Sequence, residues 1–104
     1  MEKTFWAKIY MAGDVHIAKQ TCREFCFDVG LCVNIHPTDY IYTGGEEAGF
    51  CVEVINYPRF PKSQAEVAST ASKLARKLMQ SACQHSYLIM DPIETMWVTR
   101  RDAP

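Results

Sequence analysis

The chain has 104 residues, a formal charge of −1 and 48% apolar residues. This length fits one domain, residues 1–104, whose core is large enough to fold without disulfides or a bound metal. The near-neutral charge argues against a binder of duplex DNA, which needs a basic patch, and no segment has the roughly 18 apolar residues of a membrane span.

The first part of the chain predicts a strand followed by a helix. Apolar and polar side chains alternate over residues 4–11, with the period of two that marks a strand. Apolar residues then recur at helical spacing over residues 15–29. Asp14 is placed to accept hydrogen bonds from the first free N–H groups of this helix, and Gly30 is placed to end it.

Two strands with a glycine-rich connection are predicted in the middle of the chain. The first covers residues 31–35, stops near Pro37 because proline has no N–H to donate, and resumes at residues 40–42. The second covers residues 50–55. The connection between them, residues 43–49, is longer than a tight turn requires.

We interpret this connection, TGGEEAG, as the tip of a hairpin, with a mobile loop that covers a ligand as the alternative. A phosphate-binding loop is disfavoured because the G-x-x-x-x-G-K-[ST] pattern is missing and because Glu46 and Glu47 would repel phosphate. The same two glutamates do not form a catalytic pair, since neighbours along a strand point to opposite faces.

The last part of the chain predicts a second helix and two strands. Ser63 and Glu66 have the spacing of a capping box, and the helix that they begin extends to about Gln84. Short strands follow over residues 87–90 and 95–100, joined by a turn. The order βαββαβ with an additional C-terminal strand predicts an α+β, ferredoxin-like sandwich. Its antiparallel sheet has the strand order 4-1-3-2, the last strand pairs with the fourth, and both helices cover one face.

The other face of this sheet is predicted to be open, and it carries the candidate interface residues. These are Trp6, Lys8, Tyr10 and His36. Three interpretations remain open: an amphipathic face on which Lys8 pairs with Glu53, a surface through which two copies associate, and a platform on which a base stacks.

A second set of residues is predicted to bind a ligand. Arg59 lies between two prolines in an extended connector, which limits the freedom of a side chain suited to carboxylate or phosphate. The full set is Tyr42, Thr43, Gly44, Gly45, Tyr57, Arg59, Trp97 and Arg100.

The five cysteines are predicted to be reduced thiols, and no metal site or cofactor is expected. Cys22 and Cys26 share a helix face as zinc ligands can, but no second pair has matching spacing. Cys83 and His85 lie at a helix end, where their side chains would diverge, so they are not expected to form a nucleophile pair. The first residues lack the apolar core of a signal peptide, so secretion is not expected.

The segments YTGGEEAGF, NYPRFP and CQHSYLIMDP…TMWVTRR resemble a family of small, uncharacterised accessory proteins of tailed bacteriophages, with the resemblance extending over residues 9–101. The resemblance supplies no catalytic residue. It implies a phage protein that acts in the host bacterial cytoplasm.

The predicted function is therefore that of a non-catalytic binding protein, not an enzyme, that antagonises host antiviral defence. Its partner would be a host defence protein or a nucleotide-like immune signal, and it would act as a homodimer or higher homo-oligomer. The alternative is a small ferredoxin-like enzyme of the isomerase or hydrolase type, with acid–base chemistry by His36, His85, Glu46 or Tyr57.

Overall fold

The computed structural model describes residues 5–55 and 63–100. Its elements follow in the order β1 (Trp6–Ala12), α1 (Val15–Val29), β2 (Val33–Tyr42), β3 (Gly45–Ile55), α2 (Gln64–Ser81), β4 (Ser86–Met90) and β5 (Thr95–Thr99). The five strands form one sheet in the order β2-β3-β1-β4-β5, and every neighbouring pair is antiparallel. The predicted ferredoxin-like fold, including the strand order, is confirmed.

The core lies between the two helices and one face of the sheet, which we call the covered face. Its largest fully buried side chains are Phe50, Ile9, Leu74, Leu78, Val52, Val54 and Val67. Each aliphatic side chain of this kind contributes about 1.5–3 kcal/mol by leaving water. The strand residues between them point to the other side of the sheet, the open face. None of the helices within the described ranges is long and apolar enough to cross a membrane.

Both helices begin at the predicted caps. The Asp14 carboxylate accepts a hydrogen bond from the His16 N–H at 2.8 Å. The Ser63 hydroxyl accepts from the Glu66 N–H at 3.1 Å, while the Glu66 carboxylate accepts from the Ser63 N–H at 3.2 Å. The first helix ends at Gly30, whose φ of 64° is left-handed. These caps fix where each helix starts over the sheet.

The predicted interruption of the second strand is wrong, because β2 is continuous through Pro37. Among the strands of residues 5–55 and 63–100, this one lies at the edge of the sheet and pairs only with β3. At an edge, the position that lacks an N–H can face away from the ladder without breaking it.

The prediction of a long glycine-rich connection is also wrong. The β2–β3 ladder extends as far as the pair Tyr42 and Gly45, so only Thr43 and Gly44 lie between the strands. Gly44 has a φ of 87°, a left-handed conformation that glycine adopts without steric cost. The loop available to cover a ligand therefore shrinks to a two-residue turn.

Candidate functional site

The open face carries rows of side chains that run across the sheet. One row contains His36, Cys51, Tyr10, Leu88 and Trp97, one residue from each of the five strands. Because opposed residues on neighbouring strands share a face, the pairing register decides which of these chemically different groups meet.

A groove of about 510 Å³ lies on this face over β1 and β4. Two kinds of side chain that matter for binding line it: the aromatic residues Tyr10, Tyr40 and Trp97, and the polar residues Glu47 and His85. Its volume lies in the range of roughly 300–1,000 Å³ that is typical of small-molecule sites. An aromatic groove with few polar groups is suited to a flat ligand that carries some charge.

Tyr40 is a fixed wall of the groove. Its hydroxyl donates to the Phe50 carbonyl at 2.5 Å and accepts from the Met11 N–H at 3.2 Å, so it bridges β1 and β3. A Cβ on Gly49 would lie 2.6 Å from the Tyr40 ring and would also clash with the Met11 carbonyl. Gly49 therefore leaves the space that the ring needs.

Tyr10 completes this wall from β1. Its ring packs edge-on against the Tyr40 ring, with centroids 6.4 Å apart and planes at 75°. Burial raises the pKa of Tyr40 to about 12, and burial, followed by the nearby Cys51, raises the pKa of Tyr10. Both phenols remain protonated at neutral pH. They can donate hydrogen bonds or present ring faces, but they are not bases there.

The opposite wall is formed by β4, β5 and the segment that leads into β4. Trp97 lies opposite Leu88 and is 62% exposed, so its indole face is free for a ligand. The second helix ends at Ser81, before the predicted Gln84, because Cys83 adopts a left-handed φ of 56°. This bend turns the chain so that His85 lies at the groove.

The predicted ligand-binding residues do not form one group in the structure. Trp97 lines the groove. Tyr42, Thr43, Gly44 and Gly45 occupy the tip of the β2–β3 hairpin, where the Tyr42 ring lies over Gly45.

Two other members of that set, Tyr57 and Arg59, lie outside the described residues. Arg100 follows β5 and is exposed, and its N–H donates to the His85 carbonyl at 2.7 Å. Its backbone thus holds the segment that carries His85, while its guanidinium remains a predicted anion contact.

The predicted interface residues do share the open face. Trp6, Lys8 and Tyr10 point to it from β1, and His36 points to it from β2. The Lys8 ammonium lies over the Trp6 ring, 5.2 Å from its centroid. Tyr10 belongs to the groove wall as well, so part of the predicted interface is part of the candidate site.

Tyr40 and Glu47 are the groove residues that sequence reasoning missed. They are directly opposed in the β2–β3 ladder. The signal that would have found them is the two-residue turn, since counting back from that turn places Tyr40 opposite Glu47.

A second group on the open face contains three potential metal ligands, His36, Cys51 and Glu53. Cys51 is 2% exposed, and burial is the main reason why the pKa of its thiol is raised. All five cysteines of the chain are free thiols.

No protein-family model matches the chain, and no curated protein is similar to it in sequence. Solved structures do share its fold. A phage SAM lyase in the apo state has a TM-score of 0.71 at 15% identity, over 96% of this chain and 92% of that chain. A phage SAM lyase in complex with S-methyl-5'-thioadenosine has a TM-score of 0.72 at 14% identity, over 100% and 95%.

The periplasmic divalent cation tolerance protein CutA from Archaeoglobus fulgidus shares the fold more distantly. Its TM-score is 0.53 at 18% identity, over 88% of this chain and 85% of that chain. At these identities the likeness establishes a common fold. Two of the three structures are of phage proteins.

These comparisons contradict the predicted function. A non-catalytic protein that antagonises host defence was expected, and the fold is instead matched along its length by an enzyme, phage SAM lyase. The physical reason for the error is that the groove is assembled from five strands. The residues that line it are far apart in the sequence and therefore form no recognisable sequence motif.

Proposed function

We propose that the protein is an enzyme that binds S-adenosylmethionine in the open-face groove and cleaves it to S-methyl-5'-thioadenosine. The observation that carries this proposal is the aromatic groove, in a chain whose fold matches a phage SAM lyase in complex with S-methyl-5'-thioadenosine over its full length. The groove offers an exposed indole for the adenine and a carboxylate for the sulfonium.

The adenine ring is placed against Trp97. This indole is the most exposed aromatic surface of the groove, and stacking of a base on an aromatic side chain contributes about 1–3 kcal/mol. The proposed ligand is thus still nucleotide-like, as the sequence predicted, and its adenosyl group is the part that the groove recognises.

The sulfonium is placed near Glu47, the carboxylate among the described groove residues. A cation gains electrostatic attraction from a carboxylate and from the faces of aromatic rings, and Tyr10 and Tyr40 offer such faces on the same wall. A neutral thioether gains neither. Glu47 is therefore expected to distinguish the substrate from the thioether product.

The bond that breaks is defined by the product. S-methyl-5'-thioadenosine keeps the sulfur, its methyl group and the adenosyl group, so the sulfur separates from the carbon of the aminobutyrate arm. The electron pair stays on sulfur, which becomes a neutral thioether, and no general acid is needed. The carboxylate of the same substrate can attack that carbon and close a lactone, so no water is consumed.

This step removes the positive charge of the sulfonium and the negative charge of the carboxylate and leaves the α-ammonium unchanged, so it is favoured where water is excluded. The aromatic side chains Tyr10, Tyr40 and Trp97 would displace water from the part of the ligand that they cover. Of the acid–base candidates that the sequence offered, His85 is the one that lines the groove within the described residues. The proposed reaction assigns it no proton transfer.

The direct test is to incubate the purified protein with S-adenosylmethionine and follow S-methyl-5'-thioadenosine by liquid chromatography and mass spectrometry. We expect product well above the spontaneous background, together with a lactone that has taken up no oxygen from labelled water at early times. Absence of turnover overturns the proposal. Early uptake of labelled oxygen would show a hydrolase instead.

Glu47→Gln tests the placement of the sulfonium. We expect the KM for S-adenosylmethionine to rise by about fivefold, the effect of losing a partly exposed ion pair worth ~1 kcal/mol. Inhibition by the neutral S-methyl-5'-thioadenosine should stay unchanged. Glu46→Gln is the matched control, because it removes the same charge from the adjacent residue, which points to the opposite face of β3. Equal effects of the two variants would contradict the placement.

We also propose that the active form is a homo-oligomer in the bacterial cytoplasm, where the substrate is present. Its support is the set of large apolar side chains left exposed, including Phe27 at 90%, Ile93 at 84% and Ile41 at 79%. Light scattering on the purified protein tests this, and a monomer at all concentrations would contradict it.

A further inference from the structure

Beside the groove, the open face brings together three side chains of different chemistry. His36 on β2 lies directly opposite Cys51 on β3, and Glu53 is the next residue along β3 on the same face. One imidazole nitrogen, the Cys51 Sγ and one carboxylate oxygen all lie within 4.8 Å of one another. None of the three lines the groove.

We propose that His36, Cys51 and Glu53 form a binding site for one divalent cation of the zinc type, with the fourth coordination position open. A thiolate, an imidazole and a carboxylate are the donors that Zn²⁺ takes in proteins. Zinc bonds of roughly 2.0–2.3 Å place tetrahedral ligand atoms about 3.3–3.6 Å apart. The three ligand atoms lie within 4.8 Å of one another, so a bound ion would draw them closer together.

Two of the three ligands stand on an inner strand of the sheet. Cys51 and Glu53 belong to β3, which is paired on one side with β2 and on the other with β1. Cys51 is 2% exposed, so its position is fixed by packing, and Glu53 is half-buried. His36 is exposed on the edge strand, so its ring can turn toward a cation.

The neighbours of the three ligands suit a bound cation. Tyr10 lies opposite Cys51 on β1, close enough for its hydroxyl and the thiol to shift each other's pKa. Metal ligands are commonly oriented by outer hydrogen bonds, which a hydroxyl in this position can supply. Lys8 lies opposite Glu53 with its ammonium over the Trp6 ring, still close enough to Cys51 for the two charges to interact. A divalent cation with a thiolate and a carboxylate forms a neutral site.

This inference does not depend on the proposed reaction, because none of the three ligands lines the groove, although the groove residues Tyr10 and Tyr40 lie close to Cys51. It must be separated from binding at other thiols. Cys22 and Cys26 lie near each other on α1, and Cys26 is close enough to Cys32 for their charges to interact. The experiment therefore has to report which sulfur binds.

The test is a titration of the reduced full chain with Co²⁺, used as a spectroscopic probe for Zn²⁺. We expect one Co²⁺ per chain, the charge-transfer absorption of a Co²⁺–thiolate bond and the strong visible bands of a tetrahedral ion, all abolished by added Zn²⁺. Cys51→Ser should remove the charge-transfer absorption. His36→Asn and Glu53→Gln should weaken Co²⁺ binding by more than about tenfold, the loss typical of changes around a metal site.

Two controls keep the test decisive. Cys83→Ser removes an exposed thiol and His16→Asn an exposed imidazole that lie outside the cluster, so both should bind Co²⁺ as the unaltered chain does. His36 is exposed, so its variant reports on the site even if Cys51→Ser does not fold. The proposal is overturned if the unaltered chain shows no thiolate charge transfer, or if that absorption survives in Cys51→Ser. It is equally overturned if His36→Asn binds Co²⁺ with unchanged affinity.

Discussion

The two faces of the sheet are built on the same strands but from different kinds of side chain. The covered face holds aliphatic residues such as Ile9, Val52 and Val54, which need only volume and burial. The open face holds phenols, indoles, a thiol, an imidazole and carboxylates, and the Tyr40 hydroxyl is held there by two hydrogen bonds. A change on the first face should cost stability, and a change on the second should cost binding.

The largest effect is expected on the covered face. Ile9→Ala removes a fully buried side chain of the central strand and should lower the free energy of unfolding by about 2–5 kcal/mol. Chemical denaturation measures the change. Ile41→Ala is the control, since Ile41 is 79% exposed and its loss should change stability by less than about 0.5 kcal/mol. Similar losses in both variants would contradict the distinction between the faces.

Trp97→Ala should show the reverse pattern. It should weaken binding of S-methyl-5'-thioadenosine by roughly fivefold to 150-fold, because about 1–3 kcal/mol of stacking is lost, with little effect on stability. Calorimetric titration with this ligand measures the effect. Met96→Ala changes the adjacent residue, which points to the opposite face, and should leave binding intact. Unchanged affinity in Trp97→Ala would contradict the placement of the adenine against this indole.

Tyr40 lines the groove, and its hydrogen bonds also stabilise the sheet, so Tyr40→Phe should affect stability as well. Without the hydroxyl, the Met11 N–H and the Phe50 carbonyl lose their partner, which should cost about 1–3 kcal/mol. The exposed Tyr42→Phe on the same strand should cost much less.

The same variant has a pH signature. The pKa of Tyr40 is about 12 in the folded chain against an ordinary 10.0, so the unfolded chain loses this proton first. The contribution of Tyr40 is complete below pH 10 and is lost as the pH rises toward 12. The stability difference between the unaltered chain and Tyr40→Phe, measured by denaturation across this interval, should therefore shrink as the pH rises. A constant difference would contradict the assignment.

The smallest effect concerns the bend before β4. Cys83 has a φ of 56°, which disfavours any residue with a Cβ, so Cys83→Gly should raise the free energy of unfolding by about 1 kcal/mol. Thermal or chemical denaturation measures the gain. Cys83→Ala keeps the Cβ and should show no gain, which separates the backbone effect from removal of the thiol.

The fold could be predicted because it depends on local patterns. Alternation along β1, helical spacing in α1 and α2, and the caps Asp14 and Ser63 are all visible along the chain. The strand order then follows from the few ways in which two helices and such a sheet can bury their apolar faces.

The groove and the candidate metal site could not be predicted, because they depend on the register of the strands. The sequence predicted a loop over residues 43–49, but the β2–β3 ladder continues through part of this segment and pairs Tyr40 with Glu47. With Thr43 and Gly44 as the turn, the same count places His36 opposite Cys51. One misjudged turn therefore hid both the groove wall and the candidate metal site. Thr-Gly is not among the Asn-Gly or Asp-Gly pairs that mark such turns most strongly.

Pro37, in the middle of the edge strand β2, also bears on how copies of the chain can associate. An unprotected edge is a template on which further strands can add, the first step toward fibrillar aggregation. Proline removes one donor from that edge and leaves a gap in any ladder that another chain would form there. A ten-residue outer strand is thus kept available for the hairpin while resisting polymerisation of the sheet.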